Sequence, residues 1–191
     1  MSDTLPPHYF YFFWLVEPGL SVAGALYAII WPEEYALDLL PSTTERITNI
    51  VGRTVRGQMV FGQLGSLFGI LAMISFSLFP LFKWTLGTQP ALQEKLVRGL
   101  LVPLLIGDYV HIILTLVPLP SEIRWSPLEW TGLIHGNVDV TTVLILFRTA
   151  WLFGIARYVP SDGEAEDKQA AATPVKRGRG RPRKTTTEKD E

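Results

Sequence analysis

Asp108 and His111 stand three residues apart in an apolar run, with Thr115 four further on, so all three share one face of a helix. A later apolar run carries His135, Asp139 and Thr142 on one stripe. Asn137, Thr141 and Arg148 form a second stripe, turned well away from the first at about 100° per residue. In the first apolar run, Glu17, Ser21, Gly24 and Ala28 follow one another at spacings that keep them on a single helix face, with Tyr27 at its edge. An imidazole beside a carboxylate in a low-dielectric pocket works as a general acid or base near neutral pH. The carboxylate fixes the imidazole tautomer and supports its protonated form. A neutral, desolvated aspartic acid can instead protonate an alkene or an epoxide, the step a membrane isomerase or cyclase needs when its substrate is a lipid. Asp108, His111 and Asp139 are therefore the candidate catalytic residues, Asp108 and His111 as the acid–base pair and Asp139 as the orienting carboxylate. Glu17, Gln63, His135, Asn137 and Arg148 are the candidate substrate-binding residues, and no cofactor is expected.

A structural reading stands beside this one. A charge at the bilayer centre costs about 2.5–3.5 kcal/mol on insertion scales, so such groups turn inward and pair. Glu17 with Arg148 as an ion pair, and His111 with Asp139 as an interhelical hydrogen bond, would then only hold helices together. Interhelical bonds of this kind average about 0.6 kcal/mol. Depth sorts the groups into layers. At about 1.5 Å per residue, Glu17, Asp108 and Arg148 lie at one level, with Arg148 placed to neutralise either carboxylate. His111 and Asp139 lie at a second level, with His135 and Asn137 at its mouth.

The elements that must position these groups are spans. Of 191 residues, 48% are hydrophobic, and they concentrate in four blocks at 9–31, 58–82, 97–118 and 131–158. Each can cover the roughly 20 residues that cross a hydrocarbon core of about 30 Å. The expected fold is an all-α polytopic membrane protein: a short segment 1–8, a four-transmembrane-helix bundle over 9–158, and a disordered charged tail over 159–191. There is no cysteine, which excludes disulfides, thiolate metal sites and cysteine nucleophiles. The histidines and aspartates lack the spacing of a helical zinc motif, so no metal is expected. There is neither a phosphate-binding glycine loop nor a nucleophile elbow. Ala23-Gly24-Ala25 looks like a signal-peptidase site, but no Lys or Arg precedes the segment and its apolar run continues to Trp31, so it reads as a span.

Within the spans, Pro18 removes a backbone donor and predicts a kink near Trp14. Gly62, Gly65, Gly69 and Ala72 line one face of the second span, and small residues so spaced let helices approach closely. Gln63 and Ser66 are their polar neighbours. Tyr9, Phe10, Tyr11, Trp14, Trp31, Trp84, Trp125, Trp130 and Tyr158 mark the ends of spans, where aromatic side chains prefer the headgroup level. Residues Thr44 to Arg56 read equally as a short surface helix or as plain loop. Lys83, Lys95, Arg98, Arg157 and the basic tail lie on one side, which favours both termini in the cytosol, in the endoplasmic reticulum or another endomembrane.

Composition changes after Pro160. The tail is charged, nearly free of bulky apolar side chains, and expected to be disordered. An acidic stretch from Asp162 to Asp167 precedes a basic one over 176–184. Within the latter, Arg179, Gly180, Arg181, Pro182 and Arg183 resemble an AT-hook, which lays arginines in the narrow minor groove of A·T-rich DNA. DNA contact would place the chain in the inner nuclear membrane. The alternative, attraction of the basic residues to anionic cytoplasmic lipid headgroups, is worth about 1 kcal/mol per residue and suits a four-span protein better.

Three stretches carry a family resemblance: Pro7-His8-Tyr9-Phe10-Tyr11-Phe12-Phe13-Trp14 with Glu17-Pro18; Gly107-Asp108-Tyr109-Val110-His111; and His135-Gly136-Asn137 through Arg148. Together they resemble a fungal family of small four-span membrane proteins that carries a domain of unknown function. The resemblance covers 6–158 and implies a fungal source, a four-helix membrane fold and, for some members, a place beside natural-product genes. A looser likeness is to sterol-isomerase-like membrane domains, which gather carboxylates and histidines around a hydrophobic substrate; it serves as an analogy. The expected function is binding of a terpenoid- or sterol-like molecule in the bilayer, with acid–base isomerisation, cyclisation or hydration. The rival is a non-enzymatic membrane scaffold or assembly factor. A third reading, a proton-coupled carrier, would need a homodimer to make a pathway.

Overall fold

A computed structural model describes residues 3–42 and 51–160. All of these belong to the first of two units in the chain, residues 1–160. Among the described residues there is no strand. The first long helix, α1 (Pro7–Ile30), is followed after Trp31 by the short α2 (Pro32–Asp38). Then come α3 (Val55–Thr85), α4 (Pro90–Leu116), a single turn α5 (Ser121–Arg124), and α6 over 132–152. Three of these, α1, α3 and α4, are long and apolar enough to cross a membrane. The fourth, α6, is continuous but carries His135, Asn137, Asp139 and Arg148, which dilute its apolar character. Of the stretch Thr44 to Arg56, residues 44–50 lie outside the described residues, and Val55 and Arg56 open α3. The Thr54 side chain caps that helix, accepting from the Gly57 amide at 3.0 Å.

The helices associate as two pairs. α1 lies along α3, and α4 lies along α6. The first pair is held closely at one glycine. A Cβ on Gly65 would come within 2.8 Å of the Ala25 carbonyl oxygen and 2.5 Å of Ile29, whereas nothing lies within 4 Å of one on Gly62 or Gly69. The small-residue stripe of α3 is thus a contact at Gly65 and Ala72, both buried, and open elsewhere.

Packed core fills the two ends of the bundle and leaves the middle to other contacts. At the end holding the described N-terminal residues, Leu5, Phe13, Phe79, Val97, Leu101 and Trp151 are fully buried. Tyr9 and Phe10 join this cluster at 3% and 4% exposure. These two rings therefore fill a core instead of facing headgroups, and Phe12 stacks on Phe147 with ring centroids 3.7 Å apart. At the other end, Ala28, Tyr35, Ala36 and Phe61 form one cluster, and Leu119, Ile134 and Val138 another. Along the outside of the long helices Leu67, Met73, Ile106, Leu114 and Leu146 are all more than half exposed, an apolar belt that a membrane would cover.

The N-terminal end is also clamped by polar contacts. Lys83 Nζ donates to Asp3 Oδ2 at 2.5 Å and to the Leu5 carbonyl at 2.7 Å. Trp151 Nε1 donates to the Thr4 carbonyl. Gly154, at φ 76°, ends α6 and lets the chain fold back. Arg157 then grips both oxygens of Glu94, at 2.5 and 2.9 Å, with its guanidinium 3.8 Å from the centre of the Trp151 ring. At the opposite end Tyr27 donates to Asp38 at 2.6 Å, and Thr131 donates to the Asp38 carbonyl. Helix α6 therefore runs from the end where α1 finishes to the end where α1 begins.

Candidate functional site

Two local departures from α-helix set the site. Pro18 has no amide hydrogen, and its ring crowds the carbonyl four residues back, at Trp14. The helix answers by widening into a π-turn over Phe12–Val16, in which the Glu17 amide donates to the Phe12 carbonyl. Glu17, at the start of the next α-helical stretch, is turned inward and 6% exposed. A second π-turn, Gly136–Val140, interrupts α6. Such turns add a residue to the helical repeat and shift the phase of the residues beyond them, and they are frequent at functional sites.

Between the packed ends lies a cavity of about 590 Å³. α1 contributes Glu17, Leu20, Ser21 and Gly24; α3 contributes Phe68, Leu71, Ile74 and Ser75. From α4 come Leu100, Pro103, Leu104, Gly107, Asp108 and His111, one helical face as the spacing predicts. From α6 come Leu133, Gly136, Asn137, Val140, Thr141, Leu144 and Arg148. The wall is mostly apolar, with its charges gathered in one place. That is the usual make-up of a small-molecule pocket, and the volume lies in the usual range of about 300–1,000 Å³.

The charges form a triad across three helices. Arg148, 2% exposed, donates through Nη2 to Glu17 Oε1 at 2.6 Å and through Nη1 to Asp108 Oδ2. The Glu17 and Asp108 side chains are 8% and 13% exposed. Glu17 Oε2 and Arg148 Nε are buried without a hydrogen-bond partner. The inner layer expected from depth is thus assembled as one buried cluster, and it joins the α1–α3 pair to the α4–α6 pair.

The outer layer is not assembled as expected. His111 lines the cavity, but its partner is not Asp139. Asp139 is exposed and takes His135 Nδ1 at 2.8 Å, one turn back on its own helix and outside the cavity wall. The reason is helix phase. Asp139 and Arg148 are nine residues apart, about 180° around the axis at 100° per residue. With Arg148 turned to the cavity, Asp139 and His135 face away. Asn137 and Thr141, on the Arg148 stripe, face it. Gln63 is also exposed and outside the wall, because it lies about 140° around α3 from Phe68. Asp139 therefore has no place as the orienting carboxylate, and His135 and Gln63 none as cavity ligands. Ser75, 3% exposed, and Thr141, 7% exposed, are polar wall residues missing from the expected site. For Thr141 the signal was its stripe with Asn137 and Arg148; Ser75, with Ser77 two residues on and so on the opposite side of the helix, offers no such stripe. Thr115 donates to the His111 carbonyl within α4 at 2.8 Å. Among the described residues no three His, Asp or Glu side chains gather as a metal ion would require. Arg179, Gly180, Arg181, Pro182 and Arg183 lie outside the described residues.

Residues 2–158 match a family described as a domain of unknown function, DUF7704. No curated protein and no solved structure matches the chain.

Proposed function

The chain belongs to the DUF7704 family, and we propose that its cavity binds a lipophilic small molecule, terpenoid- or sterol-like, inside a membrane bundle of four spans. The observation that carries this reading is the cavity itself: about 590 Å³, walled by apolar side chains, with a buried ion triad and His111 on its surface. The fourth span is α6. Its length of 21 residues corresponds to about 30 Å at 1.5 Å per residue, the thickness of a hydrocarbon core. Its one strongly basic group, Arg148, is buried against two carboxylates, which removes the main objection to placing it in lipid. The end carrying Lys83, Arg98 and Arg157 faces the cytosol, and the basic tail meets anionic lipid headgroups there.

The chemistry we assign to the site is proton transfer. Asp108 and His111, one turn apart on α4, both line the cavity. One delivers a proton to one alkene carbon, which leaves a cation on the other, and the second group removes a proton from the carbon beyond that cation, moving the double bond without oxidant or cofactor. The setting we propose for that step is fungal lipid or secondary-metabolite biosynthesis. A second reading is favoured by one observation: Arg148 ties α1, α4 and α6 through a single buried cluster, as a scaffold would need. The two readings separate in cells lacking the chain, complemented with wild type, Asp108→Asn or His111→Ala. Enzyme function predicts a changed lipid or terpenoid profile that only wild type restores, with all three proteins present at equal levels. An unchanged profile in the deletion strain, or full rescue by His111→Ala, would sink the acid–base reading.

A further inference from the structure

The fixed charges of the cavity wall do not balance. When both are ionised, two carboxylates, Glu17 and Asp108, face one guanidinium, Arg148, and one negative charge is left over in a buried cluster. Of the basic groups at the N-terminal end, Lys83 pairs with Asp3, Arg98 and Arg157 pair with Glu94, and Lys95 is exposed and outside the cavity wall. His111 is the remaining titratable group of the wall, and among the described residues its ring makes no hydrogen bond. A second observation is independent of charge. Glu17, 6% exposed, keeps Oε2 without a partner. A buried carboxylate oxygen left unbonded is costly unless something donates to it. Leu20, Leu71 and Ile74 line the cavity and are 46%, 43% and 38% exposed, on helices long and apolar enough to cross a membrane. The packed core and the Lys83 and Arg157 clamps close the N-terminal end.

We propose that the cavity selects an apolar molecule bearing one protonated amine, taken up from the hydrocarbon phase, with its ammonium group beside Glu17 and Asp108. The ammonium supplies the missing positive charge and a donor for Glu17 Oε2, while the apolar body occupies the wall of leucines, Phe68 and Pro103. A neutral hydroxyl would supply the donor without the charge. A carboxylate would add a second uncompensated negative charge.

This proposal rests on the ligand-binding reading above, and its test keeps the two apart. The full chain in lipid nanodiscs is titrated with three steroids that share one skeleton and differ in a single substituent: an amine, a hydroxyl or a carboxylate. The amine is expected to bind at least tenfold more tightly than the hydroxyl, and the carboxylate most weakly. Glu17→Gln, which removes the charge and keeps an acceptor oxygen, should reduce the amine's advantage over the hydroxyl severalfold. Asp108→Asn gives the same comparison should Glu17→Gln fail to fold. Equal affinity for amine and hydroxyl, or an advantage that survives both variants, overturns the charge selection and leaves the cavity reading standing. If none of the three binds, the cavity reading falls and this proposal falls with it.

Discussion

Arg148 is the residue on which the site turns. Its guanidinium is buried and forks between two carboxylates from different helices. Removing one partner of such a cluster leaves uncompensated charge in a low-dielectric setting, at a cost of about 3–5 kcal/mol. Arg148→Met should therefore lower unfolding stability in detergent by about that amount. The exposed His135–Asp139 pair, one turn inside the start of α6, is the internal control. His135→Ala should cost no more than about 0.5 kcal/mol. A chemical unfolding curve on both variants checks the contrast, and similar losses would refute the assignment of roles. Residue by residue, the sequence revealed most where depth and phase agreed. Glu17, Asp108 and Arg148 lie at one level, and they meet. His111 and Asp139 lie at one level too, yet level alone does not bring groups together. Phase forbids Asp139 from sharing a face with Arg148. Which of the two stripes of α6 turns inward was not decided by periodicity, because both are polar. The decision is made by two carboxylates on other helices that need a cation.

At the scale of the element, apolar patterning marked the long helices and missed their irregularities. Apolar runs flanked by Pro and by loop residues mark α1, α3 and α4. Pro18 foretold a break near Trp14, but not that it would take the form of a π-turn turning Glu17 inward. Helix packing was legible in kind and not in position. Four small residues share one face of α3, and a face of that sort reads as a continuous contact. Of the stripe's three glycines only Gly65 meets backbone, at the Ala25 carbonyl, and the other two face open space. Gly65→Val should therefore separate α1 from α3 and destabilise the bundle by about 1–3 kcal/mol. Gly69→Ala, with open space around the new methyl group, should be neutral or stabilising by up to about 1 kcal/mol through helix propensity. Thermal unfolding in the same detergent ranks the two, and equal losses would mean that the whole stripe is a contact.

For the molecule as a whole, the decisive matter is how α6 lies relative to the bilayer. Hydropathy alone passes over it, because a helix that carries a site must carry polar residues. The contacts at its two ends are those that the crossing proposed above requires. Thr131 meets Asp38 where α1 has finished, and Trp151 meets Thr4 where α1 begins. A helix lying along the surface could not reach both, since α1 separates them by a membrane's thickness. The chain has no cysteine, so single cysteines report sidedness without background. Thr88, in the turn between α3 and α4, and Leu128, in the turn before α6, are both exposed. In sealed vesicles Thr88→Cys should react with an impermeant maleimide from the same side as a cysteine added at the C-terminus. Leu128→Cys should react only from the other side. A C-terminal cysteine that labels together with Leu128→Cys would mean that α6 does not cross. The triad would then bring Arg148 to Glu17 and Asp108 from a helix outside the lipid, and the cavity would open to water instead of hydrocarbon.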